Sequence, residues 1–375
     1  HELNYYTVSK INGDFRIKGI EKGTYDFSCT YVGYQSYRST IELSENKQLN
    51  ILMEKQFVNI GEAVVTSLRQ EKKVKEVAVP LQIVDKKQID LASSFTAADV
   101  LNQEPGIELA RDGVWATGIS IRGLGQQRIV MLVDGNRIET ATDLMASLSF
   151  FDVDDIQQIE VIKGASSSLY GTGAMGGIVH VITQEPAFSS DKYFNGTFYA
   201  GHSSVNKLFT RKLKFETGSK KWFASISGSM RDANDINTPE GSIENSQFED
   251  QSLSAKLGYR VKSNQIIKFN YQYFDADDVG IPGGSAFPGP ATASYTDAKR
   301  WLTSVNYEIS DISDQITRLN FKYFHQYIVR DVSLIPNTAN ETESSITTAE
   351  RITPSGEHTT DGIQIQTDWI FGKSN

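Results

Sequence analysis

From Gln265 to Phe274 the chain reads QIIKFNYQYF, with Ile267, Phe269, Tyr271 and Tyr273 alternating with Lys268, Asn270 and Gln272. A period of two residues dictates a β-strand with one apolar and one polar side. The same repeat recurs at Leu253, Ala255, Leu257, Tyr259 and Val261, at Leu319, Phe321 and Tyr323, and at Ile363, Ile365, Thr367 and Trp369 against Gln364, Gln366 and Asp368. About eight such segments succeed one another from Tyr193 onward, each near the roughly 9–11 residues that a tilted strand needs to cross a bilayer. Their connections alternate in length. Short ones fall at Gly218-Ser-Lys, Lys262-Ser-Asn and Asp311-Ile-Ser-Asp, and long ones run from Asp232 to Phe248, Asp275 to Ala298 and Asp331 to Ser355. A soluble sandwich has no reason to sort its loops by parity, whereas a membrane barrel has short turns at one end and long loops at the other. Tyr193, Trp222, Tyr259, Trp301 and Trp369, near strand ends, suit the aromatic girdles of such a barrel, although core packing recruits the same residues.

Composition limits the alternatives. Apolar residues make up 39% of the 375, and no run approaches the ~18 that a membrane helix needs, which excludes only a helical membrane protein. Barrel strands average out in hydropathy. A net charge of -9 argues against a nucleic-acid partner. The single Cys29 lies in an alternating apolar strand and reads as a small core residue. HELNYYTVSK has no signal-peptide pattern, so export is inferred from the barrel pattern and not from a leader. Neither a nucleophile with its base, nor a working carboxylate pair, nor a set of metal ligands stands out, so the expectation is no enzyme, no metal and no intrinsic cofactor.

A second feature lies upstream, in the run IEVIKGASSSLYGTGAMGGIVHVIT from Ile159 to Thr183. It reads as strand, glycine stop, one helical turn, glycine-rich loop and strand. Gly171 to Gly176 satisfies G-x-G-x-x-G, but a dinucleotide site needs a strand before the glycines and a helix after them, and here that order is reversed. Before this run, Asp85 and Thr96 with Asp99 cap two short helices, the second stopped by Pro105-Gly106. RIVMLVDGNRI is a hairpin turning at Asp134-Gly135. Asp152, Asp154 and Asp155 read as a turn, with cation binding as the lesser alternative.

Together with SIRGLGQQRIVMLVDGNRIE, Ser120 to Glu139, the glycine-rich run closely resembles the plug domain of TonB-dependent outer-membrane receptors. In that family the plug fills the lumen of a large β-barrel. Residues 1–54, with the alternating stretches GDFRIKGI, GTYDFSCTYVGY, YRSTIEL and QLNILMEK, resemble part of the carboxypeptidase-regulatory-like β-sandwich found before the plug in many Bacteroidetes-type receptors. The expected fold is mainly β. It comprises this small sandwich module, a linker over 55–79, an α+β plug over 80–190, and the first eight or so strands of a transmembrane barrel over 191–375. Receptor barrels of this kind have about 22 strands, so the sequence is expected to be the N-terminal part of a longer receptor.

The resemblance also implies sites. Glu62, Ala63, Val64, Val65 and Thr66 correspond by position to the TonB box, a short strand-former that would add itself to a sheet edge of the periplasmic energy-transducing complex. An ordinary connecting strand is the alternative. The plug apices correspond to 111–118 and 138–145, where Arg111, Trp115, Thr142, Asp143 and Met145 are expected to face the ligand, Trp115 offering a flat apolar surface and Arg111 a charge. Arg122, Arg128, Arg137, Glu160 and Lys163 read either as a solvated face or, within a barrel, as polar contacts to its wall without a dry apolar seal. The implied function is active uptake of an iron chelate (siderophore) or haem through the outer membrane of a Gram-negative bacterium. The partners implied are TonB, outer-membrane lipid and the small-molecule ligand. Cobalamin or another nutrient, or a non-transporting barrel subunit, is the alternative. Haem would want an exposed axial histidine, for which only His202 and His358 are placed.

Overall fold

The computed structural model describes residues 5–10, 13–30, 37–51, 64–65, 72–73, 80–92, 94–139, 147–164, 173–282, 291–336 and 351–370. The chain divides into two compact units, His1–Ala63 and Val64–Asn375. In the first, β1 (Gly23–Cys29) pairs antiparallel with β2 (Tyr37–Leu43), in register from Gly23 opposite Leu43 to Cys29 opposite Tyr37. Phe27 stacks on Phe15, their centroids 6.1 Å apart. Of the four stretches expected as strands here, GDFRIKGI is not a strand, nor is the described start of QLNILMEK. No second sheet forms among the described residues. Phe15 reaches the pair through its ring and not through a ladder, so alternation alone did not supply a backbone partner.

The second unit begins with a short antiparallel pair, β3 (Val64–Val65) and β4 (Lys72–Lys73). Then come β5 (Leu81–Asp85), α1 (Lys86–Ala92) and α2 (Ala97–Leu101). Both helices start where the sequence places them. The Asp85 carboxylate accepts from the Gln88 N–H at 2.9 Å and the Gln88 amide oxygen accepts from the Asp85 N–H at 3.0 Å. Thr96 and Asp99 form the reciprocal capping box of α2. Next are β6 (Ile107–Arg111), β7 (Thr117–Ile121) and β8 (Leu124–Gly125), a three-stranded sheet, followed by β9 (Ile129–Val133), β10 (Asn136–Arg137), β11 (Ile156–Lys163) and β12 (Gly177–Thr183). The five-stranded sheet runs β10-β9-β12-β11-β5, with β9 and β12 parallel and the other pairs antiparallel. All five residues of β9 are buried, as a strand enclosed on both faces requires. Asp134 and Gly135 turn the hairpin with φ of 48° and 74°, the left-handed pair that an Asp-Gly turn supplies.

The third part is one long antiparallel wall. Its strands are β13 (Tyr193–His202), β14 (Phe209–Gly218), β15 (Trp222–Ala233), a small hairpin of β16 (Ile236–Thr238) and β17 (Gly241–Ile243), β18 (Phe248–Lys262), β19 (Gln265–Asp277), β20 (Val279–Ile281), β21 (Ala291–Ser310), β22 (Ile316–Pro336) and β23 (Ser355–Trp369). Neighbours in sequence are neighbours in the sheet, from β13 through β14, β15, β18, β19, β21 and β22 to β23. The sheet is open, a partial barrel. Its faces invert the order of a soluble sheet. On β18, Leu253, Leu257, Tyr259 and Val261 are exposed, while Asp250, Lys256 and Gly258 on the opposite face are buried. Phe269 and Ile267 on β19 and Ile363 and Ile365 on β23 extend the exposed apolar face. The loop-end strands run further than expected: β21 has 20 residues and β22 has 21, so much of the segment from Asp275 to Ala298 is strand. Backbone pairing continues there past the ~9–11 residues needed for a membrane, aided by β20 pairing onto β21.

Gly177 is the tightest point of the plug. At φ 151° it lets β12 enter between β11 and β9, and a Cβ there would sit 2.2 Å from the Ile162 carbonyl oxygen. Gly177→Ala is expected to destabilise the plug by about 2–4 kcal/mol from strain and overlap combined. The midpoint of denaturant-induced loss of plug protection against protease would report it; an unchanged midpoint would refute the packing described.

Candidate functional site

The plug packs against the inner face of the wall, and the seam has two chemistries. Toward the long-loop end it is aromatic. Trp115, in the loop between β6 and β7, stands 5.9 Å from Phe150, 6.1 Å from Phe274 on β19 and 6.0 Å from Tyr295 on β21, centroid to centroid. Phe95 meets Phe248 on β18 at 6.4 Å. The Trp115 indole N–H donates to the Asp250 carboxylate at 3.1 Å, and Arg231 on β15 holds the same carboxylate through two nitrogens at 2.5 and 2.8 Å. A third guanidinium nitrogen donates to the Phe95 carbonyl at 2.6 Å. A buried indole thus finds its partner, and a bidentate ion pair within the wall reaches the plug through the Trp115 N–H and the Phe95 carbonyl.

Toward the short-turn end the seam is ionic. The Lys212 ammonium lies 2.9 Å from both Asp152 and Asp155. Asp155 also accepts from Ser227 at 2.7 Å and from Ser254 at 3.2 Å. Asp152 caps the turn that holds these carboxylates, accepting from the Asp154 N–H, so the turn forms and the charge facing Asp152 and Asp155 is the Lys212 ammonium of the wall. Asp134 is the densest node. Its carboxylate accepts from the Thr183 N–H at 2.8 Å and hydroxyl at 2.7 Å, from Asn270 at 3.2 Å and Gln272 at 2.9 Å, and lies 3.5 Å from the Lys256 ammonium. Its carbonyl oxygen accepts from the Lys322 ammonium on β22. Lower still, Lys268 pairs with Glu185 at 2.5 Å and Lys214 donates to Gln184 at 2.6 Å. Burial alone would raise the Asp134 and Asp152 carboxyls, but Lys256, the two Thr183 hydrogen bonds and Lys322 together at the first, and Lys212, Arg231 and the Asp154 N–H together at the second, outweigh it and hold both below the ordinary value of 3.8. Burial and neighbouring Asp152 push Asp154 the other way.

The residues expected to make these contacts are placed as follows among the described residues. Arg122 and Arg128 are exposed. Lys163 donates to the Pro105 carbonyl within the plug. Glu160 is fully buried inside the plug sheet, 3.8 Å from His180 and accepting from Gln158. Arg137 pairs with Glu139 at 2.8 Å and meets the wall through its carbonyl, which accepts from Gln326 at 3.2 Å. At the ion pairs described above the plug supplies carboxylates and the wall ammonium groups. The signal for this was present in the inward positions Lys212, Lys256, Lys268 and Lys322 of the dyad repeats. The expectation of a seam without apolar packing is corrected by the aromatic cluster.

Trp115 is corrected too. It is 1% exposed, so its ring is spent on the seam and does not present a free face. Arg111 is half exposed and paired with Asp99 at 2.8 Å, so its charge is shared with the start of α2. Thr142, Asp143 and Met145 lie outside the described residues, as do Glu62, Ala63 and Thr66, while Val64 and Val65 form β3. His202 is exposed at the end of β13, and His358 is half-buried on β23. Asp275, Asp277 and Asp297 gather oxygen atoms within 4.8 Å of one another at the loop end, with the Lys299 ammonium 2.9 Å from Asp297 as counter-charge.

This geometry has two measurable consequences. Asp134→Ala removes the carboxylate facing Lys256 and leaves that ammonium buried, at an expected cost of about 3–5 kcal/mol to plug retention; Asp134→Asn, which keeps an acceptor for Thr183, should lose less. Plug release into rising urea, tracked by limited proteolysis, measures both, and equal release by all three proteins would refute the node. As to pH, a carboxyl depressed in the folded state contributes stability above its unfolded pKa, and that stability is lost as pH falls through the depressed value. Plug retention should hold from about pH 7 down to about pH 4 and fall only below that. A loss centred near pH 6 would contradict it.

Comparison with known proteins fits this architecture. The family profile for the TonB-dependent Receptor Plug Domain matches residues 73–178, and that for the CarboxypepD_reg-like domain matches residues 1–65. The chain is 28% identical over 257 residues to the vitamin B12 transporter BtuB of Vibrio vulnificus (strain YJ016), covering 68% of this chain and 41% of the relative. It is 27% identical over 288 residues to the rhizobactin receptor of Rhizobium meliloti (strain 1021), covering 71% and 37%. The chain thus spans less than half the length of these curated relatives. Among solved structures, the copper transporter OprC superposes with a TM-score of 0.64 at 17% identity, over 78% of this chain and 44% of that one, which speaks to fold. The siderophore receptor PirA from Acinetobacter baumannii superposes at 0.57 and 16%, over 80% and 46%. Seated through carboxylates on the cationic inner face of an open, outwardly apolar wall, residues 73–178 carry the plug domain of TonB-dependent receptors, and the chain around them is similar to members of that family.

Proposed function

We propose that the protein imports a small nutrient across the outer membrane of a Gram-negative bacterium, with an iron chelate or haem as cargo, drawing energy from TonB in the periplasm. The observation that carries this is the seam. A domain meant to stay in place permanently would be sealed by apolar contact along its length, whereas here much of it is held through ion pairs and hydroxyls that water can replace. The exposed face of Leu253, Leu257, Phe269, Ile363 and Ile365 supports a lipid-facing wall. Segment Glu62–Thr66 is the coupling element in this reading, and β3 shows that Val64–Val65 takes strand geometry of the kind that pairs at a sheet edge. Arg111, Thr142, Asp143 and Met145 remain the ligand-facing apex residues. Cobalamin is the second reading, favoured by the relatives that are vitamin B12 transporters.

Growth of a receptor-dependent strain under iron limitation, supplied in turn with haem, ferric hydroxamate or ferric catecholate, tests the cargo, with cyanocobalamin uptake run in parallel. Deleting Glu62–Thr66 is expected to reduce energised uptake to background while leaving ligand binding to de-energised cells intact. Uptake unaffected by the deletion would instead indicate a passive channel.

A further inference from the structure

The wall carries more positive charge on its inner face than it neutralises itself. Arg231 has Asp250 at 2.5 Å, Arg318 has Glu308 at 2.6 Å and Lys214 has Glu216 at 3.1 Å, all on the wall. Lys212, Lys256 and Lys268 take their carboxylates from the plug, at Asp152 with Asp155, Asp134 and Glu185. Lys322 reaches the Asp134 carbonyl. Arg300 has no carboxylate within 4 Å among the described residues, and the charge of Asp134 reaches it only from further off. It is 1% exposed, its Nε and Nη1 donate at 3.1 Å to Gln326 and Gln272, Nη1 also reaches the Phe150 carbonyl of the plug at 3.5 Å, and Nη2 has no hydrogen-bond partner.

The register arranges these groups as a staircase. Along β21, Arg300 stands nearest the long-loop end. Two residues on, Leu302 is opposite Gln272 and Gln326; two further, Ser304 is opposite Asn270, which is itself opposite Lys256; two further, Asn306 is opposite Lys268 and Lys322. At roughly 3.4 Å per residue the descent covers about 20 Å, from the end of the long loops toward that of the short turns. While the plug is seated, Asp134 and Glu185 neutralise its lower steps. Movement of the plug away from this face takes those carboxylates with it and leaves Lys256, Lys268 and Lys322 facing the lumen, continuous with the unpaired guanidinium above them.

We propose that this staircase of Arg300, Lys256, Lys268 and Lys322 is the route of an anionic cargo, which replaces the plug carboxylates as counter-charge while it descends. The inference rests on the transporter reading and narrows it: the chelate carries net negative charge, and a neutral one gains nothing from these residues. Groups of one sign lining a confined lumen concentrate counter-ions and speed their entry. The amides of Gln272 and Gln326, between Arg300 and Lys256, add donors for oxygen-rich ligands.

The test is energised uptake by cells carrying the full receptor, with three probes: a trianionic ferric tris-catecholate, a neutral ferric tris-hydroxamate and cyanocobalamin. Initial rates are normalised to the receptor found in outer membranes, and heat-modified gel mobility verifies folding. The paired substitution Arg300→Gln with Lys256→Gln is expected to slow the anionic probe by about tenfold or more, and Arg300→Lys with Lys256→Arg, which keeps both charges, to restore most of the rate. Wild-type uptake confined to the neutral probes, or equal rates for the charge-removing and charge-keeping pairs, would overturn the anionic route and leave the transporter reading standing. Failure of the wild type to take up any probe in an energy-dependent way would remove the transporter reading itself.

Discussion

A β-strand has two faces, and in this protein the apolar one is turned outward. That constraint governs what lies inside. With Leu253, Leu257 and Tyr259 exposed on β18, the intervening positions are left for Asp250, Ser252, Ser254 and Lys256. A domain that docks on such a face meets ammonium groups and hydroxyls, and cannot be held there mainly by the burial of hydrocarbon. It must bring acceptors, and the plug brings Asp134, Asp152, Asp155 and the Phe95 carbonyl. Ion pairs buried in this way add little net stability against an apolar replacement, yet are costly to break singly. They fix position and register more than they deepen the energy of the assembly.

The division of the seam into an aromatic end and an ionic end comes from strand length. Beyond the band that alternation dedicates to the outside, β18, β19 and β21 continue toward the long loops, and their inward residues there are Phe248, Phe274 and Tyr295. Trp115, Phe150 and Phe95 fill the space between these rings, so one contiguous core runs from plug to wall at that end. The ionic end has no such core. Apolar packing and water-replaceable ion pairs thus stand at opposite ends of one interface.

The periodic and local features were legible. Dyad alternation gave the wall and its eight-strand path, loop parity gave its two ends, and Asp134-Gly135, Asp85 and Thr96 with Asp99 gave the hairpin and both helix starts, each within a few residues of sequence. What the sequence hid acts over distance. Trp115 in a glycine-flanked loop reads the same whether its ring is free or covered, and the residue that satisfies it, Asp250, lies 135 positions away. The partner of the Asp134 carbonyl is 188 positions away. Alternation shows which side chains share a face but not what docks on it, so the plug's arginines are expected at the seam and its aspartates read as turns. The choice became readable only once the inward lysines of the wall were set against the plug.

The two sides of the ionic seam differ in what they keep when parted. The Asp134 turn is held from within the plug: its N–H donates to the Val181 carbonyl at 2.9 Å, the Gly135 N–H donates to His180 Nε2 at 2.8 Å, and Thr183 gives the carboxylate two hydrogen bonds. A displaced plug therefore retains this hairpin and a partly satisfied carboxylate. Among the described residues Lys256 holds plug acceptors, the Thr183 carbonyl at 3.1 Å and Asp134, and Lys322 has the Asp134 carbonyl. The cost of separation consequently falls on the wall, as cations left without partners in the lumen, and not on the internal order of the plug. A domain built this way can move as a body and return to the same register, because the bonds that define its shape are not the bonds that hold it in place.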